Sequence, residues 1–296
     1  MRVLTLLPAA TEIVAALGGA GQLVGISHEC DYPASVQRLP RVTATPVDVR
    51  APGVEIDAAV RRISESGRAV IGIDAAILRR LAPDLIITQT LCDVCAVSGS
   101  EAHQIGATMS PIPRVLALHG QNLTGIWADI RSVGEALDLE EESEELVLGL
   151  QSRLRRLRAR PVPSRPRVVC IEWLEPLYLA GHWVPELVRA AGGEDVGSLP
   201  GSHSARHEWG DVKRLHPDHA LIMLCGFDVE RSRQELETLR DAAALSFLAE
   251  VNVSIIDGNA YTSRAGPRIV DGAERIHSAL NHQPARGLEP WLPSLR

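Results

Sequence analysis

The sequence predicts an α/β protein of two parallel-sheet lobes joined by one long backbone helix, with a ligand cleft between the lobes. Three observations carry that prediction. Short apolar, strand-like runs alternate with helical segments along the chain, the pattern of parallel sheets with crossover connections. The runs fall into two groups. Between the groups lies "LEEESEELVLGLQSRLRRLRAR", Leu139 to Arg160, acidic in its first turns and basic in its last, with Leu146, Leu150, Leu154 and Leu157 on one face. Such charge order complements a helix dipole, and such spacing gives one apolar stripe. At about 1.5 Å per residue this rod spans roughly 30 Å, the width of a small domain. The expected division is residues 1–122 for the first lobe, 123–162 for the linking helix region and 163–296 for the second lobe.

In chain order, Val3–Leu7 reads as a strand, followed by a Thr11-capped helix stopped by Gly18 and Gly19. Strands are expected at Leu23–Ser27, Asp84–Gln89 and Val115–His119, with a helix over Ala75–Leu81. "RPVPSRPR" breaks the backbone helix. In the second group, strands are expected at Val168–Trp173, Leu221–Cys225 and Ser254–Asp257. Helices are expected over Val184–Ala191, Arg231–Glu250 and Pro267–Leu280, and the tail "HQPARGLEPWLPSLR" reads as irregular.

Composition narrows the function. Apolar residues make 45% of the 296 and charged residues 23%, as in an ordinary globular protein. With 37 acidic against 30 basic residues and a net charge of −7, the chain lacks the basic balance of a nucleic-acid binder. Five cysteines in so long a chain, an odd number, form no disulfide framework and suit a reducing compartment. The N-terminal apolar run is interrupted by Pro8, Thr11 and Glu12, unlike a secretory signal. No apolar window reaches the roughly 18 residues of a membrane span. A cytoplasmic location is the expectation.

Ligands of open parallel sheets bind beyond the carboxyl ends of the strands, so the residues following each strand are the site candidates. The first lobe offers His28, Cys30 and Tyr32 in "HECDYP", Cys92 and Cys95 in "TLCDVC", and His119 in "HGQN". The second offers Glu172 and Trp173, then His182 and Trp183 in "GHW", and Tyr261 and Arg264 in "DGNAYTSRAGPR". Cys170 reads as core, and His203, His219 and His277, with the other histidines in polar or helical contexts, read as solvated. The CxxC pair of Cys92 and Cys95 is open between a metal or pocket ligand, a redox pair and structural thiols. A zinc or iron–sulfur centre would need further ligands, which Cys30 and His28 could supply. No hydrolase elbow, phosphate loop, dinucleotide fingerprint or zincin helix occurs in the sequence, so a non-catalytic role is favoured over an enzymatic one.

Taken in order, "LPAATEIVAALG", "LVGIS", "DYP", "LAPDLII", the backbone helix and the closing "RAGPR" resemble the class III solute-binding proteins of ABC importers, the iron-siderophore and vitamin B12 group. The chain is most similar to the cobalamin-binding branch. Tyr32 and Arg264 match positions where that branch places a pocket aromatic and an arginine near the corrin, and Tyr261 falls where it has a tryptophan. The resemblance implies a large, near-planar ligand. It also marks departures: the docking carboxylates that importer-type relatives present to a permease fall near Ala76 and Gly210, with Glu208 two residues from the latter. Permease docking is therefore not expected, and a signal-less cytoplasmic variant is.

Three functions follow from this reading. The first is a non-catalytic binder of a corrinoid, or another tetrapyrrole, as a small-molecule or metal-containing ligand. The alternatives are a protein-held Zn or Fe–S centre on Cys30, Cys92, Cys95 and His28, and a cysteine-dependent enzyme using Glu172 or His28 as acid–base.

Overall fold

The computed structural model describes residues 1–90, 97, 99–160, 162 and 164–291. They form two compact units. Unit 1 comprises Met1–Ala51, Glu55–Gly120 and Thr124–Gly149; unit 2 comprises Pro52–Val54, Gln121–Leu123 and Leu150–Arg296.

Unit 1 is built on β1 (Val3–Thr5), α1 (Pro8–Ala16), β2 (Leu23–Gly25), β3 (Thr43–Ala44), α2 (Gly53–Glu65), β4 (Gly72–Ile73), α3 (Ala75–Leu81), β5 (Leu85–Gln89), α4 (Gly99–Gly106), β6 (Arg114–Leu118), α5 (Leu123–Ala136) and the start of α6 (Glu140–Arg158). Its four-stranded sheet runs β2-β1-β5-β6, all parallel, while β3 and β4 form a separate antiparallel pair. The strands read as unbroken apolar runs because parallel sheets are covered on both faces; Leu4, Ile86 and Leu78 are fully buried. Helix α1 begins at Pro8 with Leu7 as its cap residue, so Thr11 is not the expected N-cap. Proline with its fixed φ is suited to the first turn, and the Thr11 hydroxyl turns inward to Thr5 Oγ1 at 2.6 Å. Gly18, at φ +81°, ends the helix as expected. Asp74 caps α3, accepting from the Ala76 and Ile77 N–H groups at 2.9 Å. The backbone helix passes from unit 1 to unit 2 between Gly149 and Leu150.

Unit 2 continues with β7 (Arg167–Trp173), β8 (Tyr178–Leu179), α7 (Val184–Ala190), β9 (Glu194–Asp195), β10 (Ala205–Arg206), α8 (Trp209–Arg214), β11 (His219–Ile222), α9 (Val229–Thr238), α10 (Ala242–Glu250), β12 (Asn252–Ile256), α11 (Gly258–Tyr261), α12 (Ile269–Leu280) and β13 (Leu288–Trp291). The sheet order is β10-β8-β7-β11-β12-β13, and β9 joins the start of β7. Strands β7, β11 and β12 are parallel, whereas β8, β10 and β13 are antiparallel to their neighbours. The Arg153 side chain at the end of α6 pairs with Asp271 at 2.5 Å and Glu274 at 2.8 Å on α12.

Three expectations are corrected here. The single helix over Arg231–Glu250 is two, because Leu239 adopts extended backbone and is buried, and the Asp241 carboxylate starts α10 by accepting from Ala243 and Ala244. The tail is not wholly irregular: Leu288–Trp291 pairs with β12, placing Pro290 opposite Ser254 on an outer strand, where a missing N–H is tolerated. His219 and His277 are buried rather than solvated. His277 lies on the inward stripe of α12 with Ala273, Ile276 and Leu280, and its Nδ1 sits 3.0 Å from the Ala191 carbonyl. Among the described residues no helix is long and apolar enough to cross a membrane.

Candidate functional site

In unit 1 the chain leaves β1 for the β2 edge and later returns to β5 on its other side, which makes β1/β5 the switch point of the sheet. The loops after β2 and β6, at the edges of the sheet, hold His28, Cys30, Tyr32 and His119. After β2, the Arg41 guanidinium donates to the carbonyls of Ser27, His28 and Cys30 at 3.2, 2.6 and 3.1 Å, clamping the turn in one shape. Within it the His28 N–H donates to Thr43 Oγ1 at 2.9 Å, and His28 Nδ1 lies 2.7 Å from the same hydroxyl. Its Nε2 is enclosed with no hydrogen-bond partner among the described residues. Burial, aided by the Arg41 charge, holds the His28 pKa below its ordinary value, so the ring is neutral at pH 7 with a lone pair to offer.

Cys30 is turned the other way. It is 1% exposed, and its Sγ is 3.0 Å from Thr11 Oγ1, in the buried chain that runs on to Thr5. Tyr32, by contrast, is 48% exposed. His119 is exposed on the β6 loop, with its Nδ1 2.5 Å from Thr90 Oγ1. Strands β2 and β6 are the two edges of the four-stranded sheet, so the strands that lead to His28 and His119 lie about 14 Å apart. Cys92 and Cys95 lie outside the described residues; the flanking Val97 carbonyl accepts from Thr88 Oγ1 at 2.7 Å. Among the described residues no three His, Cys, Asp or Glu side chains are placed to hold a metal ion.

In unit 2 the second group converges more closely. Trp173, at the end of β7, donates from Nε1 to the Glu175 carbonyl at 3.2 Å and leans on Phe227 with ring centroids 5.4 Å apart. Glu172 beside it is half-buried, and its carbonyl accepts the Cys225 N–H at 3.0 Å. The "GHW" turn is unusual. His182 holds φ +52°, a left-handed backbone that costs a residue with a Cβ about 1–2 kcal/mol. Two backbone hydrogen bonds fix it there, His182 N–H to Ser202 O at 2.6 Å and Gly201 N–H to His182 O at 2.8 Å. Gly181 is required next to it, since a Cβ there would lie 2.3 Å from the Ser202 carbonyl oxygen. The His182 ring meets His203 edge-on at 5.2 Å, and its Nδ1 is enclosed without a partner among the described residues. Burial first, and His203 second, lower its pKa, so this imidazole too is neutral at pH 7.

Trp183 is 5% exposed and donates to the Thr262 carbonyl at 2.9 Å, which joins the "GHW" turn to the loop carrying Tyr261 and Arg264. Arg264 is buried and donates to Asn259 Oδ1 at 2.7 Å. The Tyr261 ring is covered by the Arg275 guanidinium at 3.7 Å from its centroid. His182, Trp183, Tyr261 and Arg264 are thus neighbours in one unit.

Sequence reasoning missed the residues that hold these candidates in place. The Asp129 carboxylate accepts from the His119 and Gly120 N–H groups at 3.0 and 2.8 Å, and burial pushes its pKa up against those donors. A carboxylate on the inward side of α5, between Trp127 and Ile130 in sequence, was the available signal. Arg41 and Thr43 carried none, since their partners are more than ten residues away. Asp195 was also missed. Its Oδ1 accepts from Gly197 and Ser198 at 2.9 and 3.0 Å, the carboxyl is enclosed beside the Cys170 thiol, and burial raises its pKa to about 6. Burial and the Asp195 charge together keep the Cys170 thiol protonated.

Asp195 gives a pH prediction. Because the folded state holds this proton more tightly than the unfolded chain, it contributes stability that declines as pH rises from 3.8 to about 6. Asp195→Asn keeps an oxygen for both N–H donors and cannot ionise. The variant is expected to melt higher than wild type at pH 7.5, with the gap closing by pH 4; a melting temperature at pH 7.5 equal to or below that of wild type contradicts the assignment.

Two α/β units, each built on parallel strands linked by helices, are the architecture of the solute-binding class of protein. The sequence model of the family described as Periplasmic binding protein matches residues 3–260, and the chain belongs to that family. Among solved structures, it is similar to the periplasmic heme-binding protein RhuT from Roseiflexus sp. RS-1, with 19% identity, a TM-score of 0.69, and 95% of this chain and 98% of that one covered. It is similar also to the periplasmic heme-binding protein HutB of Vibrio cholerae (21% identity, TM-score 0.67, 95% and 98% covered). A third is the periplasmic vitamin B12-binding protein BtuF of Vibrio cholerae (18% identity, TM-score 0.66, 95% and 96% covered). No curated protein matches the chain.

Proposed function

We propose that this chain is a non-catalytic binding protein for a metal-centred tetrapyrrole, a corrinoid or a heme, with His182 as the residue that bonds the metal. The observation that carries this is the state of His182: a strained backbone, a neutral ring and a nitrogen that no hydrogen bond among the described residues occupies. A strained, under-satisfied side chain persists where it serves a ligand, and neutral imidazole is a common partner for cobalt- and iron-centred macrocycles. The neighbouring Arg264 supports the reading, because the peripheral carboxylates or amides of a tetrapyrrole suit a guanidinium. Membership of the solute-binding family and the heme and vitamin B12 ligands named for its structural relatives point the same way.

Tryptophan fluorescence tests this directly. Trp173 and Trp183 belong to this group of side chains, so aquocobalamin or ferric heme is expected to quench emission in a saturable, one-to-one titration at low micromolar concentration. The metal-free porphyrin should bind more weakly. Failure of both metal complexes to bind at high micromolar concentration overturns the proposal.

A further inference from the structure

Unit 2 also has a concave region that none of the candidate side chains above lines. Arg158, Arg160, Arg165 and Arg189 line an open depression of about 760 Å³, with Ser164, Val162 and Gly192 completing it. Two chain segments build it. Arg158 closes α6, Arg160 and Arg165 follow on the way to β7, and Arg189 stands in the last turn of α7. The segments are held together where Gly192, at φ +96°, lies against Val162; a Cβ on Gly192 would come within 2.3 Å of the valine methyl. The four arginines are exposed.

Most other arginines of unit 2 are engaged. Arg153 pairs with Asp271 and Glu274, Arg214 with Asp211, Arg231 with Glu235, and Arg233 with Glu230. Arg167 donates to the carbonyls of Leu215 and His216. Around the depression, by contrast, Arg158, Arg160 and Arg189 have no ion pair or side-chain hydrogen bond among the described residues, and Arg165 reaches only the Gly193 carbonyl at 3.5 Å. Four like charges drawn together without carboxylates repel one another, in a chain whose net charge is −7. Helix dipoles account for Arg158 and Arg189, which stand at helix C-termini. They do not account for Arg160 and Arg165, which lie beyond the end of α6.

We propose that this depression binds a multiply charged phosphate-bearing anion. The planar guanidinium fork matches phosphate oxygens in paired hydrogen bonds, and the depression is wide enough for a chain of several phosphates. The site is separate from the tetrapyrrole ligands, and its test does not depend on them.

Calorimetric titration of the full chain with sodium tripolyphosphate, in phosphate-free buffer of low ionic strength, is expected to show one-to-one binding that weakens as salt is added. Arg160→Ser combined with Arg165→Ser should weaken it about 100-fold, at about tenfold per lost charge-assisted contact, without altering the melting temperature of the ligand-free protein. Should that pair of substitutions prevent folding, Arg189→Gln carries the same expectation at about tenfold. A parallel sedimentation assay with phosphatidic acid vesicles, against phosphatidylcholine vesicles, tells a lipid headgroup from a free phosphate; binding to either that is lost in the variants supports the site. Absence of binding to both tripolyphosphate and phosphatidic acid vesicles overturns it, as does undiminished binding in the variants.

Discussion

Gly258→Ala is expected to destabilise unit 2 by about 3 kcal/mol or more, among the largest effects of any single methyl group in the molecule. Gly258 opens α11 directly after β12, and its Cα faces the end of β11. A Cβ there would stand 2.2 Å from the Leu224 carbonyl oxygen and 2.8 Å from the Met223 carbonyl group. Both neighbours are backbone, so no side-chain rotation relieves the contact, and β11 is hydrogen-bonded on both sides, to β7 and β12. The chain must move the Asp257–Tyr261 turn outward, breaking the Tyr261 N–H to Asp257 O and Ser263 N–H to Gly258 O bonds. At roughly 2–4 °C per kcal/mol for a unit of this size, melting should fall by about 6–12 °C. Gly149→Ala is the control. It lies within α6 with open space where its Cβ would go, and alanine there should stabilise by about 0.5–1 kcal/mol. Equal melting temperatures for the two variants would contradict the packing described at Gly258.

The second large effect separates stability from binding at a single residue. His182→Gly relieves the left-handed backbone, a gain of about 1 kcal/mol, and removes the enclosed unpaired nitrogen, whose burial costs a further 1–3 kcal/mol or so. The same change removes the proposed metal ligand. The variant is therefore expected to melt at or above the wild-type temperature while losing about 100-fold or more in affinity for a metal-centred tetrapyrrole. A merely structural histidine gives the opposite pattern, with lower melting through lost contacts to His203 and Trp183 and unchanged affinity. His28→Ala is the companion measurement in unit 1. It removes a ring anchored by Thr43 and should lower melting modestly.

Fold class was legible because apolar runs and helical spacing repeat along the chain. Helix α3 falls on Ala75–Leu81 as expected, where Asp74 supplies a cap that sequence rules recognise. The break between α9 and α10 was not legible, since no Gly or Pro marks it; the signal was Asp241, an N-cap residue inside an apparently continuous helical pattern. Strand β13 was hidden by Pro290 and by its pairing with a strand more than 30 residues earlier. Among the candidates, the rule that ligands lie beyond strand ends singled out His28 after β2 and Arg264 after β12, whereas His182 and Trp183 follow β8, which is antiparallel to β7. The supports of His28, Arg41 and Thr43, act across more than ten residues and leave no local pattern. Cys30, which the sequence offers as a metal ligand, is committed to a buried hydroxyl of α1, a contact set by how α1 packs. The left-handed backbone of His182 could not be read either, because it arises from the hydrogen bonds with Ser202 and Gly201.

The central claim is that an imidazole of this chain bonds the metal of a tetrapyrrole, and visible absorption measures that bond itself. Ferric heme and aquocobalamin, each mixed separately with wild type and with His182→Gly at pH 7.5, report axial ligation through the position of their main bands. The account predicts that at least one of them shifts on binding wild type to the spectrum of a nitrogen-ligated complex, and that the shift is absent with His182→Gly. Identical spectra for the two proteins, or wild-type spectra equal to those of the free metal complexes, would contradict it.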